Sequence, residues 1–129
     1  MLYMFLYYRD PTTPIPDDVI EQHLAFNEIV RERGAYVASE ALGGAATAVT
    51  VRDQGGSPLT TDGPFAETKE VLGGFSILDC KDIDEAVEFA ALMPTRKFGA
   101  VEIRPVMHIP GRQYVTGVDR ERHAMPAGN

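Results

Sequence analysis

The sequence predicts an α+β fold. An antiparallel sheet is covered on one face by two helices, in the ferredoxin-like split βαβ order with an inserted β-hairpin arm. Three observations predict it. Short apolar runs alternate with two capped helical segments, giving the order β-α-β-(arm)-β-α-β. The turn Gln54-Gly55-Gly56-Ser57 joins two β-branched, polar stretches into a hairpin between the main strands. Residues 2–8 are apolar or aromatic at both parities, which asks for cover on both faces of the sheet.

The first strand spans residues 2–8. Leu2, Met4, Leu6 and Tyr8 lie on one side, and Tyr3, Phe5 and Tyr7 on the other. In a chain of 129 residues, the expected cover for the second face is a second copy, a homodimer. Two sheets meeting in this way would enclose a space lined by residues such as Tyr3, Phe5, Tyr7, Glu102 and Arg104. Residues 9–16 hold three prolines and read as a loop. A helix follows over about 17–33, with Asp18 and Glu21 at capping-box spacing and Gly34 as its stop. Its apolar stripe is Val19, Ile20, Leu24, Phe26 and Val30, and His23 and Asn27 fall inside that stripe. Residues 35–42 form the second strand, broken by Gly43-Gly44. Residues 47–51 and 58–61 form the arm, and 71–80 the next main strand. The second helix covers about 82–93, capped by Asp82 with Glu85, ended by Pro94, and facing the core with Ile83, Ala86, Val87, Ala90 and Met93. Residues 100–107 form the last strand, with Val101, Ile103 and Pro105 on one face and Glu102, Arg104 and Val106 on the other. One domain over 1–107 and a polar tail over 108–129 complete the division.

Composition narrows the function. A net charge of −7 argues against nucleic acid as a partner and against an anionic membrane surface, because both are bound through Lys and Arg clusters. The apolar start lacks a basic leader and a small-residue cleavage site, so it reads as a strand rather than a signal peptide. Cys80 is the single cysteine, compatible with a reducing cytoplasm, and reads as a small buried apolar residue. His23, His108 and His123 are scattered, so no metal site is expected. No phosphate loop, dinucleotide fingerprint or serine-nucleophile elbow occurs, so no cofactor is expected.

The most informative segment is 61–75, TDGPFAETKEVLGGF. Asp62-Gly63-Pro64 is a turn: Asp bonds nearby backbone, Gly accepts positive φ, and Pro locks the exit. The Gly73-Gly74 pair in the following strand lets another group approach closely. Together with GAVEIRPV at 99–106, this segment resembles the YCII-related family, in the branch named for its DGPF signature. The resemblance covers residues 1 to about 107. It implies a dimeric α+β barrel of ferredoxin-like subunits and a genomic association of many members with extracytoplasmic-function sigma factors. Some distant relatives are lactone dehydrochlorinases that use a His and an Asp. His23 lies on the first helix where such a His would lie, and in place of the Asp the second strand offers Glu40.

The candidate site follows from polar residues where a pure core would be apolar. His23 exchanges protons near neutral pH, or else is a core histidine bonded to a carbonyl. Asp62 is a general acid/base in a cleft, or the carboxylate of an Asx turn. Asn27, Gly63, Pro64, Phe65, Glu67 and Lys69 are candidate ligand-binding residues around them. The alternative for the charged ones is a solvated surface. Glu102 and Arg104 share a strand face; there Arg104 clamps an anion or forms an ion pair with no ligand. The expected pocket lies between the sheet, the first helix and the loop at 62–65. The function expected is a cytoplasmic, enzyme-like homodimer binding a small polar or anionic ligand. The alternative is a non-catalytic accessory protein of a sigma factor.

Overall fold

The computed structural model describes residues 1–111 and 125–126. In chain order the elements are β1 (Leu2–Arg9), α1 (Val19–Glu32), β2 (Tyr36–Ala41), β3 (Val49–Gln54), β4 (Ser57–Asp62), β5 (Val71–Asp79), α2 (Ile83–Leu92), β6 (Gly99–Pro105), β7 (Met107–His108) and β8 (Met125–Pro126). Four of them form one antiparallel sheet in the order β2-β5-β1-β6. Among the described residues β3 and β4 pair only with each other, and β7 pairs with β8 in parallel. Apart from residues 108–111 and 125–126, the predicted tail lies outside the described residues, and so does His123.

β1 is bonded on both sides, and its register sets the two faces. Tyr3, Phe5 and Tyr7 stand opposite Leu78, Ser76 and Gly74 on β5 and opposite Pro105, Ile103 and Val101 on β6. These residues point toward the helices. There Tyr3, Phe5, Tyr7 and Leu78 join Phe26 and Val30 of α1 and Ala86 and Phe89 of α2 in the core. Full burial of a side chain such as Phe5 or Phe89 contributes roughly 1.5–3 kcal/mol. Met4, Leu6, Tyr8, Phe75 and Ile77 lie on the other face, half-buried and covered by neither helix. Glu102 and Arg104 stand on that open face, opposite Leu6 and Met4. The grouping of Tyr3, Phe5 and Tyr7 with Glu102 and Arg104 around one space is therefore corrected: the aromatic triplet is core, and the two charged residues lie across the sheet from it.

Two irregularities reset the pairing of β5. Tyr7 pairs with Gly74 but Tyr8 with Leu72, so Gly73 is an extra residue on β5. Tyr36 pairs with Leu78 but Ala38 with Ile77, so Val37 is extra on β2. The second bulge has a geometric consequence. Simple alternation from the helix-facing Tyr36 would put Ala38 on the helix side; the bulge puts Ser39 there instead, opposite Ser76.

The helices differ from expectation in detail. Asp18 does not form a capping box: its Oδ1 accepts from Gln22 Nε2 at 2.7 Å, and no side-chain cap bond forms. α1 buries Phe26 and Val30, whereas Ile20 is 71% and Leu24 59% exposed. The N-terminal half of α1 stands away from the sheet over a cavity, so these two side chains line that cavity rather than the core. Gly34 ends the helix at φ +70°, as expected. α2 is capped by Asp82, whose Oδ1 accepts from the Glu85 amide at 2.9 Å, while Glu85 Oε1 accepts from the Lys81 amide at 3.0 Å. Its buried side chains are Ala86 and Phe89; Ile83 and Val87 are exposed, because the sheet meets the helix at the i, i+3 pair. Cys80 is buried, and desolvation pushes its thiol up to about 12.

The arm is a tight hairpin with Gly55 and Gly56 both at positive φ. All of its strand residues except Thr50 are exposed. Gly99 meets the tightest backbone constraint: a Cβ there would sit 1.8 Å from the Tyr8 carbonyl oxygen. Gly99→Ala is expected to destabilise the fold by about 3 kcal/mol or more through forced separation of β1 and β6. Gly73→Ala, whose Cβ would meet only the Tyr7 carbonyl at 3.8 Å, is expected to be tolerated. Urea unfolding midpoints of the two variants check the contrast.

Candidate active site

A cavity of about 700 Å³ lies between α1, the end of β2 and the start of β5. This is within the size range of small-molecule pockets. Apolar side chains dominate its wall, among them Val19, Ile20 and Leu24 of α1, Leu42 after β2, Leu72 of β5 and Phe98 before β6. His23 and Asn27 line it one helical turn apart. Tyr7, Arg9, Ser39 and Thr95 add polar atoms, and Glu40 stands at its edge. α1 supplies the roof because its Pro-rich approach, 9–16, crosses the end of the sheet before the helix begins, and Pro11 and Ile15 of that approach also face the cavity.

His23 is half-buried, and desolvation lowers its pKa, which favours the neutral imidazole. Its ring faces Tyr7, with centroids 6.0 Å apart and planes tilted by 47°. It has no hydrogen-bond partner among the described residues. The reading of His23 as a core histidine satisfied by a carbonyl therefore does not match the structure. Tyr7 is buried, and burial pushes its hydroxyl up to about 12. That hydroxyl is hydrogen-bonded to Ser76 Oγ, and Ser76 Oγ donates to Ser39 Oγ at 3.1 Å. Gly74 makes the arrangement possible: a Cβ there would lie 2.9 Å from the Glu40 carbonyl oxygen and 3.3 Å from the Tyr7 ring. The close approach expected at the glycine pair is thus the Tyr7 ring and the β2 backbone, at Gly74.

The remaining candidates lie elsewhere. Asp62 ends β4 and is exposed, and Asp62, Gly63, Pro64, Phe65, Glu67 and Lys69 do not line the cavity. The turn at 62–65 is tied to the arm. Thr50 Oγ1 donates to the Gly63 carbonyl at 2.7 Å, Arg52 Nη2 to the Phe65 carbonyl at 2.5 Å, and the Gly63 amide to the Ala48 carbonyl at 2.7 Å. Lys69 lies near Asp10, whose carboxyl is held below its usual range mainly by hydrogen bonds from Thr12, with a smaller contribution from Lys69. Glu102 lies beside Tyr8, whose hydroxyl is raised first by desolvation and then by that carboxylate, with Arg104 opposing. Glu102 and Arg104 form no ion pair with each other. The sequence reading placed Tyr7 in the space between two sheets rather than in this cavity, and it missed Ser39 and Ser76. Ser76 had a signal, a polar residue at core parity inside an apolar strand; Ser39 had none, because the Val37 bulge decides its face.

No group of three or more His, Cys, Asp or Glu side chains suited to a metal occurs among the described residues. No helix among them is long and apolar enough to cross a membrane.

The YCII-related domain matches residues 1–110 of the chain. The chain belongs to the YCII-related family. An uncharacterized protein of Rhizobium meliloti (strain 1021) is 34% identical over 120 residues, covering 86% of this chain and 97% of that one. Among solved structures, 5-chloro-2-hydroxyhydroquinone dehydrochlorinase from Burkholderia phenoliruptrix AC1100, in complex with 2,5-dihydroxybenzoquinone, is similar at a TM-score of 0.49. It shares 18% identity and covers 88% of this chain and 100% of its own.

The depressed His23 pKa gives this YCII-related protein an acid-side stability dependence. The unfolded chain protonates His23 below about pH 6.5, while the folded chain resists until a lower pH. The contribution is intact above pH 6.5 and is lost as pH falls from there to the folded-state value. Denaturant titrations from pH 7.5 to 5 are expected to show a stability decline that is shallower in His23→Gln.

Proposed function

We propose that this YCII-related protein binds a small molecule in the cavity beneath α1 and acts on it by proton transfer, with His23 as the acceptor. The observation that carries this reading is an unpartnered, neutral, half-desolvated imidazole facing a buried tyrosine across a mainly apolar cavity. A histidine that stays neutral at pH 7 is a competent base, and an apolar wall strengthens every polar contact made inside it. In this reading Asn27, one helical turn from His23 on the cavity wall, hydrogen-bonds the same ligand. The loop at 62–65 supports the arm in this reading. Asp62, Glu67 and Lys69 reach the ligand only if the arm moves or a second copy presents its own.

The subunit is proposed to be ferredoxin-like, in the DGPF-signature branch, and to pair through its open sheet face as a dimeric α+β barrel. Support comes from the apolar strip Met4, Leu6, Tyr8, Phe75 and Ile77, which neither helix covers. Glu102 and Arg104 would then sit at the seam between sheets.

Two measurements test these readings. A thermal-shift panel of small weak acids and carbonyl compounds is expected to contain members that raise the Tm of the wild type but raise that of His23→Asn less. Equal shifts in both proteins, with the fold intact, remove His23 from the site. Sedimentation velocity at micromolar concentration is expected to give a dimer for the wild type and a monomer for Leu6→Lys. A folded wild-type monomer refutes the sheet-to-sheet pairing.

A further inference from the structure

The hydroxyls beside His23 form a chain with a direction. Ser76 Oγ donates its one hydrogen to Ser39 Oγ at 3.1 Å, so in its bond with Tyr7 it must accept. A phenol is also the stronger acid of that pair, and donates where a serine accepts. Tyr7 therefore donates to Ser76, and Ser76 to Ser39. The Ser39 hydrogen has no acceptor among the described residues, and Ser39 lines the cavity. Hydrogen bonds in such a chain polarise one another, which makes the terminal O–H a better donor than an isolated serine. The Val37 bulge is what turns Ser39 to this face, and bulges re-aim side chains beside functional sites.

We propose that Ser39 is a ligand-contacting donor, oriented by Ser76 and Tyr7, and that the ligand is a small, largely apolar weak acid, a phenol or enol, bound as its anion. The inference rests on the reading of His23 as proton acceptor. The ionisable groups lining the cavity are Tyr7, Arg9, His23 and Glu40. The protein carries a net charge of −7, which favours entry of the neutral acid over its anion. The O–H bond of that acid then breaks. The electron pair stays on oxygen, which accepts the Ser39 hydrogen, and the proton moves to the His23 imidazole. Arg9, two residues after Tyr7 on the same face of β1 and free of any ion pair among the described residues, compensates the anion at the mouth.

The probe is 4-nitrophenol, whose absorbance reports its ionisation. With the wild type its apparent pKa is expected to fall on binding, and Ser39→Ala is expected to weaken binding of the ionised form about tenfold. Tyr7→Phe and Ser76→Ala, which act through Ser39, are expected to reduce the pKa shift while leaving the Ser39 hydroxyl in place. Circular dichroism checks that each variant folds. No binding by the wild type, or an unchanged affinity and probe pKa in Ser39→Ala, overturns the inference. A weakened Ser39→Ala alongside a His23→Asn that ionises the probe like the wild type leaves Ser39 standing and refutes His23 as the acceptor.

Discussion

Everything in this molecule depends on β1 being held from both edges while both of its faces are apolar. Its neighbours β5 and β6 satisfy its backbone, so the strand cannot slip without turning its aromatic residues to the wrong side. One face, Tyr3, Phe5 and Tyr7, nucleates the core beneath the helices. The other, Met4, Leu6 and Tyr8, is left half-buried on the sheet face that neither helix covers. The same strand therefore presents a core, a candidate site and a candidate interface. The site arises where the core face ends: Tyr7 is the last aromatic residue the helices cover, and Arg9 on the same side has already reached solvent.

The cavity follows from how α1 meets this sheet. Phe26 and Val30, in its C-terminal half, pack onto the aromatic face, while the first two turns lean out. The space between is bounded mainly by apolar side chains, and Tyr7 and Ser39 line it, joined behind the wall through the buried Ser76 hydroxyl. A polar chain inside an apolar wall is costly unless each member is bonded. Here each oxygen is bonded to the next, and the uncommitted hydrogen is at the cavity end. Gly74 permits it, since any larger residue would push either the Tyr7 ring or the β2 backbone away.

The arm has a different logic. Two short strands whose residues are exposed except Thr50 gain little from burial, and an isolated hairpin in water is marginal. Its internal ties are correspondingly numerous. Thr50 and Arg52 reach across to the backbone of the 62–65 turn, and two consecutive glycines take the positive φ that the hairpin end requires. The DGPF residues thus read first as the anchor of the arm.

Local chemistry in the chain was enough to determine the element order, the caps of α2, the hairpin and the stop at Gly34. Those features depend on neighbours within a few residues, whose backbone preferences and alternation can be read directly. It also marked His23 and Asn27 as polar residues on an apolar helix face. Tertiary structure alone decided that Tyr3, Phe5 and Tyr7 lie across the sheet from Glu102 and Arg104, that Ile20 and Leu24 line a cavity, and that Ser39 meets Ser76. The reason is physical. A single extra residue at Val37 reverses which side chains face inward, and whether a helix touches the sheet along its whole length depends on packing between segments far apart in the chain.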